Sequence, residues 1–210
     1  MRDTFGKVVD PNVRDYLMSG NVKLGGETVE VSVMFCDIRS FTAMSESMEP
    51  KDVVSLLNVY FTRLGECITK NHGIINKYIG DALMAIFGAP VHSDNHAKDA
   101  YNAALDMRKA LVELNKEFEK EGKPTIRFGI GIHSGKVLAG NIGATNRMEY
   151  TVIGDTVNTA SRIESLCKEY KTDLLLTEST KNMLGEVGNH LNLVADAAIR
   201  GKEETVKLYN

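Results

Sequence analysis

Short apolar runs alternate along the chain with stretches in which apolar residues return every three or four positions, which predicts strands and helices in turn. Val31-Ser32-Val33-Met34-Phe35-Cys36 predicts a first strand over about residues 29–37, after a break at Gly25-Gly26. Pro50 opens a helix with Val53, Val54, Leu57, Phe61, Leu64 and Ile68 on its apolar side, ended by Asn71-His72-Gly73. Strands at about 74–79 and 82–87 flank Gly80-Asp81 as a tight hairpin. A long helix over about 93–121 carries Ala97, Ala100, Ala104, Leu105, Leu111, Leu114 and Phe118, and Gly122-Lys123-Pro124 stops it. In the strand expected at about 125–133, Gly129 and Gly131 signal close backbone approach. A strand pair at about 136–142 and 147–153 follows, then a helix at 155–170 and a strand at 173–177. A short helix at 178–185 and strands near 191–199 and 204–209 complete the pattern.

The order β-α-β-β-α-β over residues 29–133 is the ferredoxin-like pattern, so the expected fold class is α+β with a C-terminal αβ extension. In that sheet the first and third strands are antiparallel neighbours at the centre. Asp37, ending the first strand, and Asp81, in the turn that opens the third, should therefore meet at one edge. A carboxylate at the end of a buried strand costs several kcal/mol unless it is paired or holds a metal. Two that converge suit a pair of divalent ions and phosphate chemistry. Taken singly, each is as well explained as a helix or turn cap.

Composition narrows the setting. The 210 residues fit one domain, and 43% hydrophobic with 25% charged residues describes an ordinary globular protein. A net charge of −3 argues against a surface that coats nucleic acid, yet leaves room for a polyphosphate ligand held by local cations and metal. Cys36, Cys67 and Cys167 are odd in number and lack metal-site spacing, which points to a reducing compartment. No apolar stretch approaches the roughly 20 residues of a membrane span. The expected location is cytoplasmic, with membrane attachment of a longer parent protein left open.

Further candidate chemistry is spread along the chain. The stretch Ile38-Arg39-Ser40-Phe41-Thr42 should turn tightly into a helix, and its backbone N–H groups suit a polyphosphate; no Walker-type lysine accompanies it. Phe41 and Thr42 are the phosphate-binding candidates of that turn, the Phe41 ring itself being expected to pack. Lys77 precedes Asp81 by four residues and, alone, is as readily a solvated strand residue. Asn158 and Arg162, spaced i, i+4, share one helix face, a pattern that by itself is usually surface. Arg200-Gly201-Lys202 is a basic turn in a late hairpin, and His133 reads as a packed or hydrogen-bonded structural histidine.

Together these segments resemble the catalytic domain of the class III nucleotidyl cyclases. The resemblance rests on Phe35 through Thr42, Lys77 through Asp81, Gly131-Ile132-His133-Ser134-Gly135, and Tyr150 through Arg162. It implies a palm-type core with a dimerisation arm over residues 136–150, and a catalytic domain over 26–210. Residues 1–25, with Phe5 through Pro11, are similar to a connector from an upstream regulatory region, so an N-terminal sensor domain is expected in a longer protein. The resemblance assigns Asp37, Asp81 and the Ile38 carbonyl to two divalent cations, Mg²⁺ or Mn²⁺. It assigns Lys77 and Thr151 to base recognition, Asn158 to the ribose, Arg162 to the reacting phosphate and Arg200 to the terminal phosphates. Threonine at 151 is similar to the threonine-containing class IIIb, which includes bicarbonate-responsive members, so bicarbonate activation is a family-level expectation with no receptor residue assigned.

Adenine N1 accepts a hydrogen bond from the Lys77 ammonium, whereas guanine N1–H cannot; the adenine 6-amino group needs the acceptor that a Thr151 hydroxyl supplies while donating elsewhere. The resemblance thus implies an adenylyl cyclase that converts ATP to cyclic AMP and pyrophosphate. The family places metal aspartates and base-recognising residues on different subunits. This chain holds both sets, so a head-to-tail homodimer is expected. The alternatives are a guanylyl cyclase, disfavoured by Lys77, and a catalytically silent nucleotide-binding module, which usually lacks a metal aspartate or the Asn/Arg pair.

Overall fold

The computed structural model describes residues 10–20, 24–144 and 146–210. A helix, α1 (Pro11–Met18), is capped by the Asp10 carboxylate, which accepts from Asn12 N–H. It is followed by β1 (Gly25–Ile38), α2 (Phe41–Ser45), α3 (Pro50–Lys70), β2 (Gly73–Ile79), β3 (Ala82–Phe87), α4 (His96–Lys120) and β4 (Phe128–Ala144). The chain continues through β5 (Arg147–Ile153), α5 (Asp155–Glu169), β6 (Leu174–Thr177) and α6 (Glu178–Asn182). A 3₁₀ turn (Gly185–His190), β7 (Leu193–Ala197) and β8 (Val206–Tyr209) end it. The strands form one sheet in the order β2-β3-β1-β4-β6-β8-β7, with β5 paired on β4. The β2-β3-β1-β4 portion is the expected ferredoxin-like core, with β1 antiparallel to both β3 and β4.

Strand parity sorts the core into two sides. Met34, Cys36 and Ile38 of β1 pack with α3 and α4, together with Leu83, Ala85 and Phe87 of β3. Val31 and Val33 face the other way, toward Val137, Ala139, Tyr150, Val152 and Ala160. On that side α1 leans on β5, where Tyr16 meets the Tyr150 ring edge-on at 5.2 Å. The buried stripe of α3 is Leu56, Tyr60, Leu64 and Ile68. The expected stripe was offset: Val54 is 57% exposed, and Leu57 and Phe61 flank the core half-buried. In α4, Met107 rather than Leu105 completes the buried face.

Two expected strands, at 125–133 and 136–142, are one unbroken strand. β1 pairs with β4 from Gly25↔Asn141 to Ile38↔Phe128, so Ser134 and Gly135 find partners in Ser32 and Val31 and the chain has no cause to turn there. The strand also begins later than expected. Ahead of it, the Asn115 side chain satisfies Ile126 through both N–H and C=O at 2.8 Å, replacing a ladder partner. The helix expected to end at 185 stops at Asn182 and gives way to the 3₁₀ turn. The far half of β4 pairs with β5 over the residues expected to form the arm; Thr145 between them lies outside the described residues, as do 1–9 and 21–23 of the lead-in. No described helix is long and apolar enough to cross a membrane.

Candidate active site

Asp37 is the penultimate residue of β1, opposite Gly129, and Cys36 faces Leu83 of β3. The β2–β3 turn bends at Gly80, whose φ of 63° suits glycine, and delivers Asp81 to the same edge. The two carboxyls lie close enough for each to feel the other. Burial, followed by the Asp37 charge, raises the Asp81 acid to about 6. A half-buried pair of like groups with this preference for a proton is a donor set that a divalent cation would neutralise. Among the described residues no three His, Cys, Asp or Glu side chains form a metal cage. A cation here would complete its shell from backbone carbonyls, such as Ile38 C=O, and from substrate oxygens and water.

Ile38, itself buried, still belongs to β1, and Arg39 N–H is used by Arg127 O at 2.7 Å, so the turn begins at Ser40 rather than at Ile38. Ser40 takes a left-handed φ of 58° and starts α2. Phe41 packs its ring on the main core, as expected, and Thr42 is exposed. Residues of the first turn of α2 retain N–H groups without intrahelical partners.

The glycines of β4 mark close approach, and the structure identifies what approaches. A Cβ at Gly129 would sit 1.6 Å from Arg39 Nη2, and one at Gly131 would sit 2.3 Å from Glu164 N of α5. Arg39 crosses the sheet over Gly129 and donates to the Glu164 carbonyl at 2.9 Å. Its Nη2 also lies 2.9 Å from Glu164 Oε1, close enough for ion pairing but not directed as a hydrogen bond, so Oε1 has no aligned donor. Burial outweighs the Arg39 cation and lifts the Glu164 acid to about 7. This pair was not anticipated; an acid on the sheet-facing side of α5, next to Ile163, was the available signal.

α5 follows its N-cap residue Gly154 and is fastened where Thr156 Oγ1 donates to Lys136 O at 2.8 Å and where Lys202 pairs with Asp155. Asn158 is exposed, and Arg162, one turn on, is half-buried. A Cβ at Gly201 would stand 3.2 Å from Arg162 Nη1, so the Arg200-Gly201-Lys202 turn lies against this guanidinium. Arg200 is exposed. His133 shares its Nδ1 with Thr177 Oγ1 at 2.8 Å and Ser179 Oγ at 3.2 Å. Burial, then the Lys202 cation, pulls its acid constant down to about 4.

Lys77 and Thr151 come together on the flank. Lys77 Nζ meets Glu149 Oε1 of β5 at 3.0 Å, and Thr151 is 9% exposed. Between them, Asn76 Nδ2 donates to Tyr150 O at 2.8 Å while Asn76 Oδ1 accepts from Thr151 Oγ1 at 2.9 Å. Sequence reasoning missed Asn76 and Glu149, since neither carries a motif of its own. Among the described residues no hydrogen bond or ion pair links the Asp37–Asp81 pair to Lys77, Thr151, Asn158 or Arg162.

The sheet has the βαββαβ palm-type order and brings two carboxylates together where its central strand β1 ends and the β2–β3 turn meets it. Residues 26–210 match the adenylate and guanylate cyclase catalytic domain, and the chain belongs to that family. Members of this family bind nucleotide, act as dimers and use divalent metal ions. An adenylate cyclase of Anabaena cylindrica is 41% identical over 196 residues, which is 90% of this chain and 38% of that protein. The chain thus spans well under half the length of that relative. The adenylyl cyclase CyaB from P. aeruginosa superposes with a TM-score of 0.79 at 30% identity, covering 89% of this chain and 95% of CyaB. The guanylyl cyclase Cya2 superposes at 0.80 with 31% identity, covering 89% of this chain and 93% of Cya2.

Proposed function

We propose that this chain is the catalytic unit of an adenylyl cyclase that converts ATP to 3′,5′-cyclic AMP and pyrophosphate. Residues 26–210 would carry catalysis, and 1–25 would connect them to an upstream sensor. The observation that carries the choice of ATP is the Lys77/Thr151 pair. Lys77 spends one ammonium proton on Glu149 and keeps others for adenine N1, while Thr151 donates to Asn76 and keeps lone pairs for the 6-amino group. An adenylate cyclase among the relatives supports this direction, and a guanylyl cyclase among the structural neighbours makes product identity the decisive test.

In this reading Asp37, Asp81 and the Ile38 carbonyl hold two divalent cations, which when bound acidify the ribose 3′ hydroxyl and steady the leaving pyrophosphate. Asn158 orients the ribose so that the hydroxyl lies in line with the α-phosphorus. Arg162 meets charge that grows on the phosphoryl oxygens in the transition state, and the Gly201 turn behind it limits where its guanidinium can go. Arg200 and the N–H groups of the Phe41–Thr42 turn serve the terminal phosphates. Among the described residues the half-sites carry no hydrogen bond or ion pair to one another, which suits a head-to-tail homodimer in which each site takes its aspartates from one protomer and Lys77, Thr151, Asn158 and Arg162 from the other.

Threonine at 151 groups the chain with the class IIIb cyclases, and activation by bicarbonate goes with that grouping. The test is chromatographic product analysis after incubating purified protein with ATP or GTP and Mn²⁺ or Mg²⁺. Cyclic AMP in large excess over cyclic GMP is the expected result. Cyclic GMP in excess, or no cyclic product from folded dimer, would overturn the proposal. Addition of bicarbonate to the same assay reads out the subclass.

A further inference from the structure

Asn76 sits at an irregularity in the sheet. Ile75 pairs with Ala85 and Lys77 with Met84, so Asn76 is the extra residue of a β-bulge, without a partner of its own on β3. Bulges re-aim side chains, and this one sends the Asn76 amide across to β5, where it replaces the missing strand pairing between β2 and β5. Its orientation follows from chemistry. Turning the amide over would set Oδ1 against the Tyr150 carbonyl, two acceptors face to face, so Nδ2 must donate to Tyr150 O. Oδ1 is then obliged to accept, and the group it accepts from is the Thr151 hydroxyl.

A free threonine hydroxyl is an indifferent reader of a purine, because it can accept from a 6-amino group or donate to a 6-oxo group by rotating. We infer that Asn76 is the specificity-determining positioning residue of the base pocket: by taking the only proton of Thr151, it makes that hydroxyl an acceptor and turns the pocket against 6-oxo purines. The inference rests on the reading of Lys77 and Thr151 as the base-recognising pair. Asn76 acts through Thr151 and need not touch the nucleotide.

The experiment compares kcat/KM for ATP and GTP, with Mn²⁺, in the wild type and in Asn76→Ala and Asn76→Leu, each also in a Thr151→Val background. Asn76→Leu keeps the volume should the alanine variant fail to fold. The ATP-over-GTP ratio should fall about fivefold or more in the alanine and leucine variants, the size of one lost hydrogen-bond constraint. In the Thr151→Val background, Asn76→Leu should leave the ratio unchanged, since there is no hydroxyl left to orient. A ratio that stays at the wild-type value in Asn76→Leu, or falls as far in the Thr151→Val background as with Thr151 present, would overturn the role of Asn76 while leaving the cyclase reading intact. A wild type that makes no cyclic nucleotide, or prefers GTP, would overturn the cyclase or base reading itself and the inference with it.

Discussion

Replacing Asp81 by asparagine isolates the cost of holding two carboxyls together. Burial and the Asp37 charge raise the Asp81 acid from 3.8 to about 6. A rise of about two units is worth ~3 kcal/mol between protonation states, and solvent around a half-buried group reduces the penalty at neutral pH to about 1 kcal/mol. The folded state binds this proton more tightly than the unfolded chain does. The penalty is therefore absent below about pH 4, grows as pH climbs from about 4 to 6, and is complete above that. Asp81→Asn carries no charge at this position, so in chelator at about pH 7.5 its melting midpoint should exceed that of the wild type by roughly 2–4 °C, and the gap should close near pH 4. Mn²⁺ should reverse the order by stabilising the wild type alone. The assay is a set of thermal melts across pH, with chelator and with Mn²⁺. A variant less stable than wild type at neutral pH in chelator would refute the repulsion, and one that gains as much from Mn²⁺ would refute the metal assignment.

Mixing Asp37→Ala with Asn158→Ala, each inactive alone, should restore cyclase activity, because one of the two sites in a mixed dimer is complete; no recovery would end the shared-site proposal. Gly131→Ala should lower stability by about 1–3 kcal/mol in urea titration, since the added Cβ would stand 2.3 Å from the backbone of α5 and the helix must lift. Activity should fall with it, as Asn158 and Arg162 ride on that helix. Arg39→Met leaves Glu164 buried without its cation, at a cost of roughly 2–4 kcal/mol. Because the Glu164 acid already stands near 7, up from 4.5, the loss should be greater at about pH 8 than at about pH 5.5, where the carboxyl is neutral; equal losses at both would rule out the ion pair as the cause.

The sheet core and the meeting of Asp37 with Asp81 were legible because both follow from local signals, namely apolar runs, a Gly-Asp turn and the order of elements. Longer-range partnerships were not. β4 runs through Ser134-Gly135 because β1 supplies partners along its whole length, and no local pattern announces that. The buried stripe of α3 runs from Leu56 to Ile68 through Tyr60, and the sequence offers a competing stripe through Val54 and Leu57 that only packing against the sheet decides. Asn76 is invisible for a related reason, since its importance comes from a slip in the β2–β3 register and a carbonyl 74 residues away. The glycines of β4 could be read as points of close approach, but only the fold says that Arg39 and α5 are what approach.

The strap from Arg39 over Gly129 to Glu164 joins the loop behind the carboxylate pair to the helix that bears Asn158 and Arg162. Within one chain the strap sets how far that loop and α5 can move apart, because separating them would leave the buried Glu164 carboxylate without its cation.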